Sequence, residues 1–73
     1  MLNTAIAEEL RGPGRIRQEL RHRGWSQRRF AAKTSTGEAE MSRILNGYLR
    51  PYAKTRARIA RVLGLPEDVL FPE

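Results

Sequence analysis

Cysteine is missing from this 73-residue chain, and histidine occurs once, as His22. No disulfide scaffold and no cysteine zinc site can form, and one imidazole does not make a metal centre. Long apolar runs are missing too. None approaches the roughly 20 residues that cross a bilayer, and the N-terminus lacks the apolar stretch of a signal peptide. A soluble, cytoplasmic protein without metal or cofactor is expected. Alternation of polar and apolar residues, the mark of a half-buried strand, occurs nowhere. Neither repeats nor linkers interrupt the chain, which reads as one domain, residues 1–73, near the lower size limit for an unaided core.

Acidic residues are also scarce. Eight Asp and Glu stand against fourteen Lys and Arg, giving a net charge of +6. All fourteen basic residues lie between Arg11 and Arg61, where only Glu19, Glu38 and Glu40 oppose them. The other acids sit at the two ends. A basic middle of this kind suits a polyanion, although a solvated arginine-rich surface has the same composition. Pattern has to decide between the two.

The pattern is helical. Thr4–Arg11 reads as an N-terminal helix with Ile6 and Leu10 one turn apart, ended by Gly12-Pro13-Gly14. Residues 1–13 are then a helical extension and 15–71 the core. A second helix, about Arg15–Arg23, carries Ile16 and Leu20 at i, i+4 and stops at Gly24. Ser26 can cap a third, about Gln27–Lys33, whose apolar positions are Phe30 and Ala31. Thr34-Ser35-Thr36-Gly37 breaks that helix. A fourth, about Glu38–Leu45, sets Met41, Ile44 and Leu45 on one face and Glu38, Ala39, Ser42, Arg43 and Asn46 away from it. Asn46-Gly47 is a stop signal, with the glycine left-handed. Another helix, about Tyr52–Leu63, is closed by Gly64, and Pro66 opens a last turn with Val69, Leu70 and Phe71. Two short helices joined by a tight turn, with small or hydrogen-bonding side chains outward, make a helix-turn-helix suited to a DNA groove.

Several residues together resemble the phage repressor/Cro-type (XRE-like) helix-turn-helix family. They are Gly24-Trp25-Ser26-Gln27, Phe30-Ala31, Met41-Ser42-Arg43-Ile44, Asn46-Gly47, Arg50-Pro51, Ile59-Ala60, Leu63-Gly64-Leu65 and Leu70-Phe71. The likeness spans about Ile16 to Phe71. It implies an all-α bundle of about five helices (lambda-repressor-like), here with the extra N-terminal helix. It also implies sequence-specific binding to double-stranded DNA by a repressor-like transcriptional regulator, prokaryotic or phage-encoded and nucleoid-associated. Three departures stand out. Family members often carry an arginine and a glutamate, partly buried as an ion pair, where this chain has Leu20 and Leu45. Replacing both partners of such a pair by packed apolar residues is often neutral or stabilising, whereas losing one is not. Ser35 stands where a glycine is common and Gly37 where Ser or Thr caps. Arg56 occupies a position usually apolar, so its stem would pack while its head reaches solvent.

The resemblance gives Gln27, first in its helix, a phosphate contact that braces the reading helix; the plainer alternative is an exposed helix-start residue. Asn46 matches a phosphate-contacting asparagine, though helix termination alone also explains it. Base reading falls by position to Glu38, Ala39, Ser42 and Arg43, near the start of the helix that enters the major groove. Arg43 can bond guanine O6 and N7 together, and Ala39 can meet a thymine methyl. Glu38 at a helix N-terminus is already explained by the helix dipole. Arg28, Arg50, Lys54, Arg15 and Arg17 are expected on phosphates, Arg58 and Arg61 in solvent. Trp25, Phe30, Ile44 and Leu63 are expected in the core.

One such domain reads few base pairs, so two copies on a two-fold operator are expected, as a homodimer or as one formed only on DNA. Leu65, Val69, Leu70 and Phe71 are the candidate interface, although core closure explains them equally. No small-molecule substrate is implied. No nucleophile–base pair or glycine-rich phosphate loop supports an enzyme. The alternative is a helix-turn-helix used as a protein-binding module, such as an antitoxin or an anti-repressor partner, for which Glu38 and Glu40 are the only hint.

Overall fold

A computed structural model describes residues 11–73, and the expected helix at Thr4–Arg11 falls outside them except for Arg11. Five helices follow: α1 Gly12–Arg23, α2 Gln27–Lys33, α3 Glu38–Leu45, α4 Ala53–Leu63 and α5 Glu67–Leu70. The described residues contain no strand. α2 packs on α3, α1 on both α3 and α5, and α4 on α5.

The expected break at Gly12-Pro13-Gly14 is where α1 begins. Proline in the first turn loses nothing, because its missing N–H would have no helical partner and its φ is already helical. Gly12, with φ +66°, turns the chain into that helix, and a Cβ there would meet Pro72 Cδ at 3.9 Å. Tyr52 precedes α4 as its N-cap instead of being its first residue.

Helix ends follow local chemistry. Ser26 Oγ accepts from the Arg29 amide at 3.0 Å and starts α2. α3 ends with the Tyr48 amide donating to Arg43 O at 2.9 Å and the Gly47 amide to Ile44 O at 3.1 Å. Gly47 takes φ +77° there, a conformation that costs other residues roughly 1–2 kcal/mol. The same paired bonds end α2, where the left-handed residue is Ser35 at φ +54°, the only non-glycine with positive φ among the described residues. Gly37 caps α3 through its backbone geometry, with no side-chain bond.

Ile16, Leu20, Phe30, Ala31, Met41, Ile44, Leu45, Ile59, Leu63, Leu70 and Phe71 form one buried cluster. Leu20 and Leu45 both enter it, so an apolar pair joins α1 to α3 where a charged pair was the alternative. Trp25 was expected in the core but is only partly buried. Its ring lies 6.3 Å from that of Phe30, and Lys33 Nζ sits 4.7 Å from its centroid. Arg56 does not simply reach solvent. It bonds Glu67 Oε1 at 2.9 Å and Pro51 O at 2.7 Å, tying α4 to α5 and to the preceding loop. Leu70 is 0% and Phe71 7% exposed, so these two close the core and offer a partner almost nothing. Leu65 and Val69 keep part of their surface.

Candidate nucleic-acid interface

α3 is short, eight residues, and its two sides differ sharply. Met41, Ile44 and Leu45 are buried, while Glu38, Ala39, Glu40 and Arg43 are exposed and Ser42 is half-buried. At 100° per residue, Ala39 and Arg43 lie roughly opposite Met41. The Arg43 side chain bonds to nothing among the described residues. Glu38 and Glu40 occupy the first turn, where the helix dipole favours them.

The turn that aims α3 is built on Thr34, which is fully buried. Its Oγ1 lies 3.0 Å from Phe30 O, 3.2 Å from Ala31 O and 3.0 Å from Thr36 Oγ1. Its carbonyl accepts from Arg58 Nε at 2.8 Å, which fastens the turn to α4. Arg58 is therefore not the solvated surface residue that its sequence position suggests.

Arg58 exemplifies a wider pattern. Arg17 Nε donates to Leu45 O at 3.0 Å and Arg23 Nη2 to Leu63 O at 2.8 Å, each at the C-terminal end of a helix. Arg50 Nη1 lies 3.2 Å from Phe71 O and 3.1 Å from Pro72 O, holding the C-terminal tail. With Arg56, five arginines thus donate to backbone carbonyls, and for Arg17, Arg23 and Arg58 the carbonyl lies at the negative, C-terminal end of a helix. Arg15 and Arg23 both pair with Glu19. Partial burial pushes the Glu19 carboxyl up, but hydrogen bonds and positive charge from the two arginines outweigh it and hold the group below the usual carboxylate range.

These bonds sort the expected phosphate contacts. Arg15, Arg17 and Arg50 have partners inside the protein, so part of their donor set is already used. Asn46 is exposed, with Oδ1 accepting from Arg17 Nη2 at 2.7 Å and Nδ2 donating to Ser42 O at 2.9 Å. Arg28 and Lys54 are exposed and make no side-chain bond among the described residues. Gln27 is half-buried and borders a shallow cleft of about 170 Å³ with Arg17, Leu20, Arg21, Trp25 and Leu45. Arg21, exposed and unbonded among the described residues, was missed by the sequence reading. The carbonyl bonds of the five arginines escaped it too, because their partners are backbone atoms that no motif spells out. Arg56 was the one with a visible signal, an arginine at an apolar position.

A helix-turn-helix family model matches residues 16–70, most of the chain and all five helices in part or whole. The chain belongs to the helix-turn-helix family of the Cro/C1, XRE-like type. Helix-turn-helix domains of this type are DNA-binding regulators. No curated protein and no solved structure matches the chain significantly. Among the described residues no cluster of three His, Cys, Asp or Glu could hold a metal, and no helix is long and apolar enough to cross a membrane.

Proposed function

We propose that this helix-turn-helix protein is a sequence-specific, double-stranded DNA-binding transcriptional regulator of the repressor kind. α3 lies in the major groove with Ala39 and Arg43 toward base edges and Ser42 and Glu38 at the flanks. Arg43 addresses guanine, a bidentate pair worth about 1–3 kcal/mol of discrimination. Gln27, Arg28 and Lys54 hold phosphates on either side, joined by Arg21 beside Gln27. Asn46 offers its remaining Nδ2 proton at the end of the reading helix. The observation that carries this reading is the outward face of α3: Ala39 and Arg43 exposed, and no other described element covering them.

The groove excludes one other partner. Duplex RNA has a deep, narrow major groove that would not admit α3. Two copies act on a two-fold operator, with Leu65 and Val69 the residues of the last turn that keep surface for contact. The test is a titration of the purified chain with a random duplex pool, single-stranded DNA and duplex RNA at matched salt. Selective retention of a subset of DNA duplexes is expected. Equal affinity for all three polyanions would reduce the interface to charge alone.

A further inference from the structure

We propose that Arg17 is a positioning residue for the reading helix, fixing its C-terminal end so that Arg43 meets one base register. This rests on the reading of α3 given above. The last four carbonyls of α3 belong to Ser42, Arg43, Ile44 and Leu45, and a helix end leaves all four without intrahelical partners. Three find main-chain donors nearby: Asn46 N on Ser42 O at 3.0 Å, Gly47 N on Ile44 O at 3.1 Å, Tyr48 N on Arg43 O at 2.9 Å. Leu45 O receives no main-chain donor among the described residues. Arg17 Nε fills that vacancy at 3.0 Å from α1, 28 residues earlier in the chain.

The same guanidinium fixes the next residue. Arg17 Nη2 donates to Asn46 Oδ1 at 2.7 Å, and the amide's other end donates to Ser42 O at 2.9 Å. One planar fork therefore holds both the last helical residue and its cap, a geometry that a lysine's single ammonium cannot copy. Leu45 is buried, so its carbonyl could not turn to bulk water without moving the helix end. α3 spans little more than two turns, so a tilt at Leu45 reaches Arg43 and Ser42 directly. Arg17 thus acts on base reading through the helix, not by touching a base.

The test compares the full chain with Arg17→Met, Arg17→Lys and Arg28→Ala. Three readouts are taken: the salt dependence of duplex affinity, the base preferences selected from a random duplex pool, and amide exchange at Asn46–Tyr48. For Arg17→Met the expected result is faster exchange at those amides, a fall of about tenfold in the ratio of best to mismatched duplex, and an unchanged salt slope. Arg17→Lys should fall between Arg17→Met and the parent. Arg28→Ala should lower the slope by about 0.9 with preferences intact, as a phosphate contact does. A lowered slope with unaltered preference for Arg17→Met would make Arg17 a phosphate contact and overturn the proposal. So would exchange and preference both matching the parent. If Arg17→Met does not fold, Arg17→Lys carries the same three comparisons. Should the parent chain select no duplex at all, the DNA reading fails by itself. Exchange at Asn46–Tyr48 then still decides whether Arg17 holds the helix end, and parental exchange rates in the variants would refute that.

Discussion

Replacing Thr34 by valine removes one oxygen from a side chain that solvent does not reach. The hydroxyl has one proton, shared between Phe30 O at 3.0 Å and Ala31 O at 3.2 Å. Neither carbonyl would be orphaned by the change. Phe30 O already accepts from the Thr34 amide at 3.0 Å, and Ala31 O from the Thr36 amide at 2.9 Å. Thr36 Oγ1 loses a neighbour but is half-buried and keeps Thr34 O at 3.3 Å. What disappears is a single net hydrogen bond, worth about 0.5–1.5 kcal/mol, without the added penalty of an unsatisfied buried group. For a domain of this size about 1 kcal/mol lowers Tm by roughly 4–8 °C. Thr34→Ala should cost about 1 kcal/mol more, because a buried methyl goes as well. Thermal and urea unfolding followed by circular dichroism measure both, with the urea slope unchanged. A loss of 3 kcal/mol or more for Thr34→Val would mean that the carbonyls depend on the hydroxyl. No loss at all would mean that the turn is not held by this residue.

Three further outcomes follow from the same bonds. Ser35→Gly relieves a left-handed serine at a cost in unfolded-chain entropy, so a net gain of about 0.5 kcal/mol in urea unfolding is expected, and a loss would show that φ +54° is unstrained. Glu19 has its pKa lowered in the folded state, so its contribution is complete above the ordinary carboxylate value of 4.5 and is lost as pH falls through the lower folded value. Stability of Glu19→Gln should therefore fall less steeply than the parent's below about pH 5, where parallel curves would remove the ion pairs from the account. Duplex affinity should fall steeply with salt; neutralising about three phosphates per protomer gives a log–log slope near −2.7, and a flat dependence between low and moderate salt would contradict the phosphate contacts.

Much of the fold is legible in local chemistry. Ser26, Gly24, Gly47 and Gly64 mark helix ends because caps act within a few residues, and the 3.6 period marks the buried faces of α1, α3 and α4. Gly12-Pro13-Gly14 misleads because the same residues that stop one helix can start the next. Leu70 and Phe71 mislead because an apolar residue near a chain end serves a core and an interface alike, and only packing separates the two. Exposure is legible where it depends on helical position, as with Ala39 and Arg43, both exposed on α3. What the other arginines bond is not legible. Composition makes them one basic surplus, whereas Arg17, Arg23, Arg50, Arg56 and Arg58 reach carbonyls set beside them by tertiary structure. The N–H donors open to a phosphate are accordingly fewer than the count of basic residues suggests, and Arg21, Arg28, Arg43 and Lys54 carry a larger share of them.

The most direct measurement selects duplexes from a random pool with the parent chain and with Arg43→Ala. If α3 presents Arg43 to a base edge, the parent enriches a defined half-site, and the variant loses preference at one position within it while keeping the rest. Identical profiles for the two proteins, or loss spread evenly over every duplex, would contradict the claim that this face of α3 reads DNA.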